Sequence, residues 1–169
     1  MKIVNKWFTI IFAFLFLTIG LTKSSKAQQQ FDKAAFYKIM ETGNLSAINS
    51  QIEVVKASAT ENKAGYEGAL LMRKAGKEAI PQKKLKYFKE GRIKLETAIQ
   101  ADADNAEYRF LRLTIEENAP KIVKYRNDLE EDKAFIQRNF KRMLPVIQHA
   151  IMNYSKNSKI LHTEDFLTL

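Results

Sequence analysis

An all-α fold of about seven antiparallel helices, stacked as helical hairpins behind a cleaved leader, follows from three observations. Apolar residues recur at three- and four-residue spacing along most of the 169-residue chain. Gly43, Gly76, Pro81, Pro120 and Pro145 punctuate those periodic stretches, as residues that end or open helices do. No stretch alternates between apolar and polar over enough length to make a strand.

The leader is residues 1–27. Lys2 and Lys6 precede an apolar run from Trp7 to Leu21, fifteen residues broken by Thr18 and Gly20. A spanning helix needs about 20 apolar residues, so the run fits a signal peptide better than an anchor. Ser25 and Ala27 supply small residues before a cleavage point between Ala27 and Gln28. An uncleaved anchor is the competing reading. The chain has no cysteine, so no lipid can be attached behind the run and no disulfide can form. The product is expected to be exported, periplasmic or extracellular, and unlipidated. Four of the 28 lysines and arginines leave with the leader, so 24 remain against 19 acids, and the formal charge drops from +9 to +5.

The helical domain is expected over 28–157. Phe31, Ala35, Ile39 and Met40 mark a first helix, after which Gly43 suits a left-handed residue and Asn44 a cap. Leu45, Ile48, Ile52 and Val55 carry the second helix, which closes a hairpin with the first. The third runs from about Glu61 to Ala75, with Tyr66, Ala69, Leu70 and the stem of Arg73 inward and Gly76 as its stop. Pro81 opens the fourth, Gln82 to Ala101, whose stripe is Leu85, Phe88, Gly91, Leu95, Ala98 and Ile99. Gly91 in mid-helix costs about 1 kcal/mol relative to alanine, which predicts close approach of a neighbour.

Asp104, with Glu107 three residues on, reads as a capping box for the fifth helix. Tyr108, Leu111 and Ile115 share one of its faces, and Phe110, Leu113 and Thr114 an adjoining one, which predicts burial. Ile122, Tyr125, Leu129, Ile136 and Phe140 suggest a sixth helix over 121–139, and Pro145 opens a seventh with Val146, Ile147, Ala150, Ile151 and Tyr154 inside. Residues 158–169 form a tail that Ile160, Leu161, Phe166 and Leu167 are expected to dock in part. Short connections make neighbours antiparallel. A monomer is expected.

The joint "AIQADADNAEY" resembles the junction between tetratricopeptide repeats. Ala98 matches the small position packed between helices and Asp102 the aspartate, while Asn105 and Ala106 match the start of the next repeat. Upstream, "YEGALLMRKAG" is similar to a first repeat helix, with Gly68 and Ala69 as its small positions. The resemblance covers about residues 64–111 and implies a tetratricopeptide-like array with a concave binding face. Ala103 stands where proline is usual, and Arg112 and Leu113 where leucine and glycine are. Gly68 and Gly91 are 23 residues apart, against about twelve in the repeat. The whole chain is also similar to short, exported, all-helical bacterial proteins, which implies a fold and a location but no activity.

Catalysis needs a nucleophile with a base, a metal cluster or matched carboxylates, and the sequence offers none of these sets. His149 and His162 are not at ligand-pair spacing, and His149 reads as a partly buried structural histidine. No glycine-rich phosphate loop is present, so neither a catalytic residue, a cofactor site nor a metal site is expected. Asp128, Glu131 and Asp132 fall within one helical turn, as a hard-cation site would. They lack the glycine turn and ligand order of a calcium loop, so a solvated face is the reading.

The fourth helix carries the best functional feature. Lys83, Lys84, Lys86, Lys89 and Arg92 interleave with Tyr87 and Phe88, as on surfaces for anionic membranes or nucleic acids. Phe88 fits the apolar stripe and Tyr87 is left over, so Lys83, Lys84, Lys86, Tyr87, Lys89 and Arg92 are the candidate anionic-surface contacts. A solvated face is the plainer reading of such a run. The function expected is that of a non-catalytic interaction or scaffold domain with a protein or peptide partner. The alternative is a peripheral envelope protein that binds anionic lipid or polysaccharide through this helix. Export and the modest charge argue against nucleic acid.

Overall fold

The computed structural model describes residues 31–60 and 63–167. The leader, its junction at Ala27–Gln28 and Glu61 lie outside the described residues. The described residues form eight α-helices, two 3₁₀ turns and no strand. The helices are α1 (Lys33–Thr42), α2 (Leu45–Ala57), α3 (Lys63–Lys77), α4 (Pro81–Ala101), α5 (Ala106–Asn118), α6 (Leu129–Asn139), α7 (Pro145–Ser155) and α8 (Glu164–Leu167). The 3₁₀ turns are Lys121–Val123 and Phe140–Arg142.

The tightest pairing is the antiparallel hairpin of α3 and α4. A Cβ on Gly91 would fall 2.6 Å from the Gly68 carbonyl oxygen, and one on Gly68 would fall 2.7 Å from the Gly91 oxygen. The two backbones therefore touch, which is why mid-helix glycine is tolerated there. Glu67 and Lys94 pair across the same seam at 3.2 Å. Ala98, one turn further along, is buried.

α5 lies between two apolar clusters and serves both. Tyr108, Leu111 and Ile115 join Phe36, Ile48, Leu70 and Leu95 in the first. Phe110 and Leu113 join Ile136, Ile147, Ile151, Leu161 and Phe166 in the second. Two adjoining apolar faces on one helix thus become two packing surfaces. Glu117 ties the chain after α7 to α5, accepting from the hydroxyls of Tyr154 and Ser158 at 2.7 Å each.

Several expectations are corrected. Gly43 is not left-handed; it sits at φ −59° and ψ 137°, and a Cβ there would meet the Ile39 oxygen at 2.5 Å. Its role is close contact, not positive φ. Gly76 does not stop α3, which runs through it to Lys77. The cap of α5 is Asn105, whose side chain accepts from the Tyr108 amide at 3.1 Å, while Asp104 is exposed. Glu107 is buried instead of reaching back to a cap.

The sixth helix does not begin at 121. A 3₁₀ turn at Lys121–Val123 ends at Lys124, which adopts φ 47°, and helix resumes only at Leu129. A left-handed non-glycine residue reverses the chain locally and cannot continue a helix. As a result Ile122 is 89% exposed, whereas Tyr125 is buried. Leu85 also leaves the expected stripe, at 51% exposed, because it lies in helical phase with exposed Lys89, Arg92 and Ile93 and not with Gly91 and Leu95, the side that meets α3. His149 is exposed, so it is not a partly buried structural histidine.

Candidate binding surface

α4 begins with Pro81 at its first position, where the missing amide hydrogen is no loss, and has no acidic residue in its first turn. Lys83 and Lys84 stand there, at the positive end of the helix dipole, where a cation is unfavourable by about 0.3–1 kcal/mol. Lys83, Lys84, Lys86, Lys89 and Arg92 are all exposed. The four lysines make no ion pair among the described residues. The remaining candidates are engaged within the fold. Tyr87 is half-buried, with the Lys74 ammonium 3.9 Å from its ring centre. The Arg92 guanidinium stacks 4.8 Å from the Tyr125 ring centre. Tyr87 is therefore not left over; it packs back on α3.

The connector between α5 and α6 adjoins this face. Tyr125 anchors it, edge-on to Phe88 at 5.8 Å and with its hydroxyl donating to Glu96. Lys121, Ile122, Lys124 and Arg126 point to solvent around that anchor. Sequence reading missed these residues because Ile122 and Tyr125 fit a helical phase. Pro120 and the polar run Arg126-Asn127-Asp128 were the signals against a continuous helix.

The interior holds polar groups of a different kind. Glu107 accepts from the Tyr37 hydroxyl at 2.9 Å, the Tyr66 hydroxyl at 2.8 Å and the Lys33 ammonium at 2.5 Å. Burial first, then the Glu107 charge, holds both tyrosine hydroxyls above their usual range. Arg112 makes a two-pronged bond to Asp132, Nε and Nη2 each at 2.7 Å, and reaches Glu96 at 3.1 Å. Burial works against the Arg112 charge, but Asp132, then Glu96 and Asp128, raises its pKa above the guanidinium norm.

Asp132 is fully buried, so it does not belong to a solvated face; it is half of an inter-helix ion pair, while Glu131 stays exposed and Asp128 half-buried. Leaving such a charge without its partner costs about 3–5 kcal/mol. These carboxylates join α1, α3, α4, α5 and α6, and their oxygens are occupied by donors. Among the described residues no three His, Cys, Asp or Glu side chains converge on a metal position.

An open cleft of about 320 Å³ lies between the start of α5 and the corner before α7, lined by Asn105, Glu107, Arg142, Leu144 and Ile147. Glu107 is the buried carboxylate of that lining, and its oxygens are already bonded. Unpaired positive charge is concentrated instead on α4 and its connector. No family model, curated protein or solved structure matches this chain.

Proposed function

We propose that the chain is an exported, non-catalytic binding domain whose working surface is the outer face of α4 with the adjoining connector. One observation carries the reading. Lys83, Lys84, Lys86 and Lys89 have no carboxylate partner among the described residues, although nearby Lys94 has one. Two of these lysines stand where the helix dipole disfavours them, which suits a role outside the fold. The buried carboxylates act as ties between helices, in keeping with a non-catalytic role. The likeness of the α4–α5 joint to a repeat corner supports a stack of hairpins that holds this face rigid.

The leader supports export, and intact mass of the protein from its host, short by residues 1–27, checks that step. The surface is tested by replacing Lys83, Lys84, Lys86 and Lys89 with glutamine and measuring retention on the host's envelope fraction. Wild type is expected to be retained and the variant released, with unchanged circular dichroism. Equal retention of both would remove α4 as the working surface.

A further inference from the structure

Leu85, Lys89, Arg92 and Ile93 stand at i, i+4, i+7 and i+8, so they share one exposed face of α4. Arg92 lies against Tyr125, which places the connector along the edge of that face. Three aliphatic side chains project from this ridge and connector, Leu85 at 51%, Ile93 at 68% and Ile122 at 89% exposed. Exposed cations flank each of them: Lys86 and Lys89 on the helix, and Lys121, Lys124 and Arg126 on the connector. The acids of α4 are Glu90 and Glu96. Glu90 is exposed three residues before Ile93 and four after Lys86, so it borders the ridge on its Ile93 side, while Glu96 is held by Tyr125 and Arg112.

We propose that this ridge and connector form a docking surface for a bilayer with anionic headgroups, Ile122 and Leu85 entering its interfacial layer. The proposal rests on the binding-domain reading and names its ligand. Long cationic side chains reach phosphate with their heads while their stems follow apolar groups inward. The aliphatics decide among anionic ligands, because an acidic polysaccharide offers no hydrocarbon layer to receive them. A protein interface would place few lysines at its centre. Single-stranded nucleic acid needs exposed aromatic rings to stack on, and here Tyr125 is buried and Tyr87 is covered by Lys74. Tyr125 holds the connector against α4, so Ile122 is presented without reordering.

The chain has no cysteine, so Ile122→Cys gives a single attachment point for an environment-sensitive dye. The probe is a vesicle of equal parts phosphatidylglycerol and phosphatidylcholine, with pure phosphatidylcholine as the reference. Any retained leader contributes equally to every variant, so the readout is the difference between variants on the same vesicle. The dye at 122 is expected to shift to the blue on the anionic vesicle alone, and a dye at His149→Cys on α7 is not. Ile122→Ser is expected to weaken binding about tenfold, and glutamine at Lys83, Lys84, Lys86 and Lys89 about a thousandfold. Sedimentation with a dye at 122 that stays in water overturns the proposal, as does tight binding to acidic polysaccharide that Ile122→Ser leaves unchanged. Failure of wild type to bind anionic vesicles at low salt also overturns it. Lysine-dependent retention on the envelope fraction would still support the broader binding-domain reading in that case.

Discussion

Glu116 is fully buried on α5. Its Oε2 accepts from the Asp128 amide at 3.2 Å, and its Oε1 has no hydrogen-bond donor among the described residues. Burial pushes its carboxyl up to about 7 and the Asp128 charge adds to this, while the Asp128 amide and Arg112 pull it down. Tyr125 on the connector, Glu96 on α4 and Asp132 on α6 complete the polar surroundings of this group through Arg112. A folded value above the unfolded one of about 4.3 means that the folded chain holds the extra proton. Its contribution is complete below about pH 4.3 and is lost as pH rises through about 7, a change on the order of 3 kcal/mol. The denaturant midpoint is therefore expected to fall between pH 5 and 8, and Glu116→Gln to flatten that fall. Equal slopes in the two proteins would remove Glu116 as the cause. Other buried charges show what local sequence rules can reveal. Glu107 satisfies the spacing of a capping box, and its true partner Lys33 is 74 residues away, beyond any local rule. Asp132 was legible in principle, because it lies in helical phase with buried Ile136 and half-buried Leu129. An arginine on the buried face of α5 also needed a carboxylate.

The α3–α4 hairpin sets the geometry of the candidate surface, and its glycines make opposite predictions. Gly68→Ala would drive a Cβ against the Gly91 oxygen and the Leu95 amide nitrogen, each at 2.7 Å. Backbone atoms cannot swing aside, so a net loss of about 1–3 kcal/mol is expected despite the better helix propensity of alanine. Gly76 has nothing within 4 Å of its missing Cβ. Gly76→Ala should therefore raise stability by about 0.5–1 kcal/mol. Urea denaturation of the two variants checks both signs, and a neutral Gly68→Ala would show that α3 and α4 do not touch there. Helix starts such as those of α2 and α4 were legible, since Asn44 and Pro81 fall where capping and opening rules place them. The shortened α6 was legible only in part: Pro120 and the run Arg126-Asn127-Asp128 argue against a continuous helix, but Lys124 adopts its left-handed conformation without a glycine or asparagine to announce it. Leu85 lies at the margin of the apolar stripe, and which margin faces α3 is fixed by the Gly68–Gly91 contact across the hairpin, so its exposure was equally hidden.

Among the described residues of the whole molecule, two groups of charges stand out. Carboxylates such as Glu107, Glu116 and Asp132 point inward and hold helices together, while unpaired lysines collect outside on α4 and its connector. That separation leaves a basic, aliphatic-studded ridge on a framework with two apolar clusters. No helix among the described residues is long and apolar enough to cross a membrane; the proposed attachment is through the ridge at a bilayer surface. Charge screening should then govern it, with binding falling as ionic strength rises. Amide hydrogen exchange of the full chain, with and without vesicles of equal parts phosphatidylglycerol and phosphatidylcholine, tests the location of the working surface directly. Slower exchange is expected in the first turns of α4 and across residues 119–126, with α7 unchanged. Unchanged exchange in those two segments, or protection confined to the cleft between α5 and the corner before α7, would contradict the account.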